Sequence, residues 1–366
     1  MKKTLTILGL AALVFCLASC EKPQAGPEGE DSIPSNDYSH VALHQAFVLN
    51  EGPQGNNASL SHIDLANGTL ENNWFFEHNS RRLGDVAQDL LVYGGKAYAT
   101  VWGSGNLEVI DTATGSSTLV ALGNRGPRYL AADGGKLYIS CYNPASVIRI
   151  DTATLQVEAT CPLGSFNPEG IAIAAGRLFA VSSWIGGSQN SITYDSTLYV
   201  IDLGTFSVDT LLVVGRNPQA VKAVDANRLI VNCWGVWDMN NGSTEGEGSA
   251  IVDATTLSVS QTGQLFTRMC VANGDIYGYV QTYDASWNMT TTYLKMDAAT
   301  MATTELLPQC GVDNPYCIAV HPATGDIFIG TDGNYATNGE LYCFTPDGTR
   351  RWKREVGMLP SKIVFY

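Results

Sequence analysis

What this chain has little of bounds it first. Charged residues are only 15% of its 366 residues. No long apolar stripe of helical period runs along it, so a helical bundle is excluded and an all-β composition remains. The nine cysteines include no C-x-x-C spacing, which removes zinc ribbons and dithiol redox motifs. The five histidines (His40, His44, His62, His78, His321) show no metal-ligand spacing, and no G-x-S-x-G marks a hydrolase nucleophile. The oxygen-rich stretch D-M-N-N-G-S-T-E-G-E (238–247) fails the EF-hand pattern and reads as a solvated loop. No metal, cofactor or catalytic set is expected, and the chain reads as a non-enzyme. The apolar run at residues 5–18 is too short to span a bilayer.

What is present is a repeat. V-I-D-T-A-T-G (109–115) returns as S-H-I-D-L-A-N-G (61–68), R-I-D-T-A-T-L (149–155), V-I-D-L-G-T-F (200–206), I-V-D-A-T-T-L (251–257) and K-M-D-A-A-T-M (295–301). L-Y-C-F-T-P-D-G (341–348) is a relaxed copy. From Asp64 through Asp111, Asp151, Asp202, Asp253 and Asp297 to Thr345, the intervals are 47, 40, 51, 51, 44 and 48 residues. Seven units of that period, built from short strands, predict a seven-bladed β-propeller. Each Asp follows an apolar third strand and favours a tight turn into an outer fourth strand. Hairpin signals such as G-G-K-A-Y (94–98), G-G-K-L-Y (134–138) and N-G-D-I-Y (273–277) precede the second strands. The first blade lacks an inner strand, so residues 360–366 are expected to fill it and close the ring.

The N-terminus supplies an address. M-K-K-T, the apolar run and L-A-S-C (17–20) resemble a bacterial lipoprotein leader, implying removal of residues 1–19 and lipidation of Cys20. Residues 20–40, with Glu28, Glu30 and Asp31 among Pro, Gly and Ser, read as a flexible acidic tether, and residues 41–366 as the propeller. Acidic tethers of this kind resemble those of surface-exported lipoproteins, which implies an outer-membrane anchor facing the exterior. The chain carries −14, and losing Lys2 and Lys3 makes the mature protein about −16, so nucleic acid is a poor partner. Seven cysteines remain beyond Cys16 and Cys20 and read as small buried hydrophobes, with their pairing left open.

The variable loops between second and third strands lie at 51–58, 102–106, 142–145, 184–195, 234–248, 283–290 and 332–339. They carry or adjoin Trp102, Tyr142, Trp184, Trp234, Trp237, Tyr283, Trp287 and Tyr335, while Trp74 and Trp352 are assigned to outer strands. Large aromatics gathered on one face mark binding. The segments entering the inner strands add Arg125, Arg128, Arg216 and Arg268, with Asn167, Asn217 and Asn314. Some of these arginines are expected to pair with Asp85, Asp89 or Glu169. Aromatics outside and Arg/Asn inside suit a wide, amide-bearing or anionic ligand.

The runs V-L-N-E-G-P-Q-G-N-N-A-S-L-S-H-I-D (48–64) and L-G-D-V-A-Q-D-L-L-V-Y-G-G-K-A-Y (83–98) resemble the YncE-like propeller lipoproteins of Bacteroidetes that carry the DUF5074 signature. The C-terminal runs at 318–335, 339–352 and L-P-S-K-I-V-F-Y are similar to those of the BtuG group of surface cobalamin-binding lipoproteins. That resemblance implies capture of a corrinoid on one propeller face and its delivery to a TonB-dependent outer-membrane transporter. Two alternatives stay open: another cargo, an iron–siderophore complex or a glycan, and a protein-docking propeller with no small ligand.

Overall fold

Each copy of the repeat folds around its aspartate. Asp111 ends the strand Asn106–Asp111, and its Oδ1 accepts the N–H groups of Ala113 (3.1 Å) and Thr114 (2.8 Å). Those bonds turn the chain back into the outer strand Ser117–Ala121. Asp151, Asp202, Asp253 and Asp297 each accept the N–H three residues on, at 2.8, 2.7, 2.7 and 2.7 Å. Thr345, in the relaxed copy, accepts the Thr349 N–H on its hydroxyl at 3.0 Å.

Donation by Thr114, Thr205, Thr256 and Thr300 holds the carboxyls of Asp111, Asp202, Asp253 and Asp297 below the usual range. For Asp151 the Lys136 ammonium is the first cause. A carboxyl with a lowered folded pKa stabilises the fold fully above its unfolded value of about 3.9, and that contribution is lost as pH falls through the folded pKa. The thermal midpoint is therefore expected to fall below about pH 4. Asp253→Asn keeps the acceptor oxygen and should make that acid limb shallower. An identical limb in the variant would remove the turn carboxyls as its cause.

The computed structural model describes residues 31–34, 38–164, 167–188, 191–238, 243–284 and 286–366. Seven four-stranded antiparallel sheets form the seven blades of a propeller. The inner strands of blades 2 to 7 are Ala87–Tyr93, Pro127–Asp133, Pro168–Ala174, Pro218–Ala223, Arg268–Ala272 and Pro315–Val320. Blade 1 runs outward from Pro360–Phe365 through Gln45–Asn50 and Ser59–Asp64 to Thr69–Glu71. The last strand of the chain thus closes the first blade, as expected.

Buried apolar side chains gather in seven clusters, each at the seam between neighbouring blades. The seam between blades 5 and 6, for example, joins Ile230 and Ile251 to Phe266, Ile276 and Met296. No blade can bury both faces alone, so burial drives the ring shut. The core is consequently a ring of seams around a channel lined by the inner strands. The seven cysteines of the described residues are free thiols, and burial pushes Cys141, Cys233, Cys270 and Cys317 up to about 12.

Three expectations are corrected. The tether does not run to residue 40: Ile33 and Tyr38 are buried in the seam between blades 7 and 1, and the Tyr38 hydroxyl donates to Asp326. Both are large apolar bodies that an acidic, Pro-rich neighbourhood hid. Residues 1–30, with the leader, Cys20 and the start of the tether, lie outside the described residues.

Trp74 opens a short helix, Trp74–Asn79, instead of lying on an outer strand, whereas Trp352 is on one and fully buried. The helix is docked by Asn79, which donates to the Gly115 carbonyl and accepts the Ser117 N–H.

Three of the long loops are β-hairpins. Trp184–Ser188 pairs with Ser191–Tyr194, Arg228–Asp238 with Ser243–Asp253, and Asp275–Tyr283 with Met289–Asp297. Ladder pairing satisfies backbone groups that a long loop would leave to water.

Candidate functional site

The channel mouth is built by one device repeated around the ring. Five inner strands open on a proline (Pro127, Pro168, Pro218, Pro315, Pro360), where the missing N–H costs no ladder bond. The pairing register then slips in these five blades and in blade 2 after Ala87. Such a bulge leaves a residue unpaired and re-aims it. The residues at this position are Gln88, Arg128, Glu169, Gln219, Tyr316 and Ser361. Blade 6 supplies Arg268 without a slip. The mouth therefore carries one side chain from every blade. All but Glu169 line a channel cavity of about 340 Å³.

The residue before each strand has a second duty. The Val86, Gly126 and Asn217 carbonyls accept the N–H groups of Trp102 (2.9 Å), Tyr142 (3.1 Å) and Trp234 (3.0 Å). Those of Asn167 and Asn314 accept the N–H groups of Ser183 (3.0 Å) and Asp332 (3.3 Å). In these five blades the inner-strand entry thus anchors the aromatic loop of its own blade. The amide of Asn217 is also spent, donating to the Gly235 carbonyl and accepting from Gln219. That of Asn314 donates to Asn334 at 3.3 Å. These asparagines, candidates for ligand contact, position loops, and the amide of Asn217 is held by protein partners.

The predicted aromatics fall into separate groups. On blades 5 to 7, the Arg268 guanidinium lies 5.2 Å from the Trp234 ring centroid and 5.9 Å from that of Tyr316. Tyr316 meets Tyr335 edge-on at 5.9 Å, and Tyr283 pairs with Trp287 at 6.2 Å. Exposure is 37% for Trp234, 59% for Tyr283, 78% for Trp287 and 63% for Tyr335, so most of this aromatic surface faces solvent. Arg268 makes no ion pair among the described residues. Glu51 is within its electrostatic reach, but accepts the Tyr316 hydroxyl at 2.6 Å.

On blades 2 to 4, Trp102 and Tyr142 line a shallow cleft of about 520 Å³ with Gln54, Asp85 and Asn143. Tyr142 donates to Glu169, which also takes both Nε (3.2 Å) and Nη2 (2.8 Å) of Arg128. Arg128 further donates to Gln88 and lies 4.7 Å from the Tyr142 ring centroid. Arg128 thus pairs with Glu169, one of the carboxylates expected to hold these arginines, while still lining the channel cavity. Arg216 sits 4.0 Å from Glu245, both half-exposed, a pair of little energetic weight. Arg125 has no ion pair among the described residues, and its carbonyl accepts the Asn143 N–H. Trp184 is half-buried at the base of its hairpin. The Trp237 side chain lies outside the described residues, as do residues 239–242 of the oxygen-rich stretch 238–247.

Sequence reasoning passed over Gln88, Gln219, Tyr316, Ser361, Lys222 and Lys362 at the channel. A signal existed: P-R, P-E, P-Q, P-Y and P-S recur at the strand entries, a polar or aromatic residue always following the proline.

Fold and site together define a closed seven-bladed propeller of the binding or interaction type. The chain belongs to the DUF5074 family, a domain of unknown function, whose model matches residues 44–350. No curated protein matches it. Among solved structures, a quinonprotein alcohol dehydrogenase-like protein from Bacteroides thetaiotaomicron is 13% identical, with a TM-score of 0.58 over 88% of this chain and 78% of that one. Hydrazine synthase from Kuenenia stuttgartiensis is 18% identical, with a TM-score of 0.54 over 69% and 74%. Streptogramin B lyase is 12% identical, with a TM-score of 0.51 over 75% and 84%. These likenesses show the shared fold. Among the described residues no helix is long and apolar enough to cross a membrane.

Proposed function

We propose that this protein is a non-enzymatic capture lipoprotein, anchored through Cys20 to the outer membrane and facing outward. It binds a corrinoid on the blade 5–7 side of the channel mouth and hands it to a TonB-dependent transporter. The observation that carries this reading is Arg268, free of ion pairs among the described residues and set against Trp234 and Tyr316, with the exposed rings of Tyr335, Tyr283 and Trp287 on the same blades. A corrinoid presents a wide ring edged with amides and a phosphate-linked base. Flat aromatic surface suits the ring, and a guanidinium suits the phosphate. The non-enzymatic reading is supported by the histidines: His321 is buried against the Leu43 carbonyl, while His62 and His78 pack on Trp74. The same free Arg268 favours an anionic iron–siderophore complex as the second reading.

The test is calorimetric titration of residues 31–366 with cobalamin and with cobinamide, which lacks the phosphate-linked base. One-to-one binding of both is expected, weakened by Trp234→Ala. Arg268→Gln should weaken cobalamin about 10- to 100-fold, the worth of a charge-assisted hydrogen bond, and leave cobinamide nearly unchanged. If neither corrinoid binds, the cargo assignment falls, and anionic siderophores are titrated next.

A further inference from the structure

Below the mouth the channel holds an unbalanced set of charges. Lys222 lies three residues beyond Gln219 on the same inner strand, about 10 Å further in at strand spacing. Among the described residues it is the lysine with neither a hydrogen bond nor an ion pair. Lys96 reaches the Thr152 carbonyl, and Lys136, Lys295, Lys353 and Lys362 each hold a carboxylate.

The groups facing Lys222 are Lys362 from blade 1, Asp89 from blade 2, and Arg268 and the Cys270 thiol from blade 6. Asp89 is already committed, its Oδ1 to Lys362 at 2.7 Å and its Oδ2 to the Leu130 N–H at 3.0 Å. Glu169, on the adjoining inner strand of blade 4, is held by Arg128 and Tyr142. Two ammonium groups and the guanidiniums of Arg268 and Arg128 therefore share a cavity of about 340 Å³ with only the carboxylates of Asp89 and Glu51, which leaves an excess of positive charge. In a chain of net charge −14, this is the reverse of the molecule as a whole. Repulsion from Lys362, then burial, brings the Lys222 ammonium down to about 8.

We propose that this part of the channel is an oxyanion site, in which Lys222 and Lys362, with Arg268 at its upper border, hold a carboxylate or phosphate group. Such a group gives the three N–H donors of Lys222 the acceptors they lack and cancels its repulsion from Lys362. The site rests on the channel's own charges and not on the cargo at the mouth.

Thermal unfolding of the full chain, purified in detergent, tests it in phosphate, citrate and chloride at matched ionic strength and pH 7. Phosphate or citrate at ten times its Kd should raise the midpoint by about 3 °C over chloride. The citrate gain should shrink between pH 7 and 9, because Lys222 is charged below about 8 and gives up its proton above it. Lys222→Met should start from a higher midpoint in chloride, since a repelled charge is gone, and show no gain. That higher midpoint also shows that the variant folds. Trp287→Ala, which removes an exposed ring of the mouth that does not line this cavity, should keep the gain, which separates this site from capture at the mouth. A gain from phosphate alone assigns a phosphate group, and one from citrate alone a carboxylate. Equal midpoints in the three salts, or an undiminished gain in Lys222→Met, overturn the proposal.

Discussion

Deletion of residues 360–366 is expected to abolish the cooperative unfolding of the whole propeller, not only of its first blade. The strand Pro360–Phe365 pairs with Gln45–Asn50 and completes blade 1 from the inside. Pro360 and Ile363 are buried, Phe365 packs edge-on against His321 (4.8 Å) and Phe328 (5.0 Å), and Tyr366 stacks on Phe47 at 4.8 Å. Its loss strips two seams at once and leaves an unpaired edge inside the channel. Because every blade is held by its neighbours, an open ring loses the burial that fixes each of them. Far-UV circular dichroism melts should show no sharp transition, and the protein should move to the insoluble fraction. A peptide of residues 357–366 added during refolding should restore the transition. A truncated protein that melts cooperatively within a few degrees of the full chain would show that the velcro strand is dispensable.

Tyr38→Ala is expected to destabilise the protein by about 3–5 kcal/mol, the range for emptying a large buried aromatic site. Tyr38 is fully buried, stands edge-on to His321 at 5.6 Å, and donates its hydroxyl to the buried Asp326. The phenol's pKa is raised by that burial, with Cys343 and Asp326 adding to it, so it remains a neutral donor. Tyr38→Phe keeps the ring and should cost only about 1 kcal/mol, because Asp326 retains Arg351 at 3.2 Å. Denaturant midpoints at constant slope measure both. If Tyr38→Ala shifts the midpoint no more than Tyr38→Phe, the segment before residue 41 contributes nothing to the fold. The practical consequence is that a shortened form should begin at residue 31, which keeps Ile33 and Tyr38, and not at 41.

The electrostatic plan of the site follows from its register. Bulges after the strand-opening prolines bring Gln88, Arg128, Glu169, Gln219, Tyr316 and Ser361 to one level, joined by Arg268. Where neighbours in that ring complement each other, as Arg128 and Glu169 do, the charge is consumed by structure. Where they do not, as at Arg268, it makes no ion pair among the described residues. The repeated bulge thus sets the level of six of these side chains, blade 6 brings Arg268 to it without one, and the neighbouring blade decides whether a charge there is paired.

The repeat, the blade count and the closure of the ring were legible in the residues because their causes are local or topological. An Asp followed by Thr closes its own turn whatever surrounds it, so Asp111, Asp151, Asp202, Asp253 and Asp297 mark blade after blade. Blade 1 lacked an inner strand and the chain ended in one, and a closed sheet ring admits a single solution to that pair of facts. The roles of the candidate residues were not legible, because they depend on partners distant in sequence. Glu169 lies 41 residues from Arg128, and Asp326 lies 288 residues from Tyr38. Asn217 looks the same in sequence whether its amide meets a ligand or the Gly235 carbonyl 18 residues away. Lys222 reads as one more strand lysine until the ring brings Lys362 from the far end of the chain to face it. The sequence by itself determined the fold and the face on which the variable loops gather, since turn chemistry and apolar periodicity act over a few residues. Only the tertiary structure decided which charges on that face are spent and which are free, since ion pairing depends on distances of a few ångströms that closure of the ring creates.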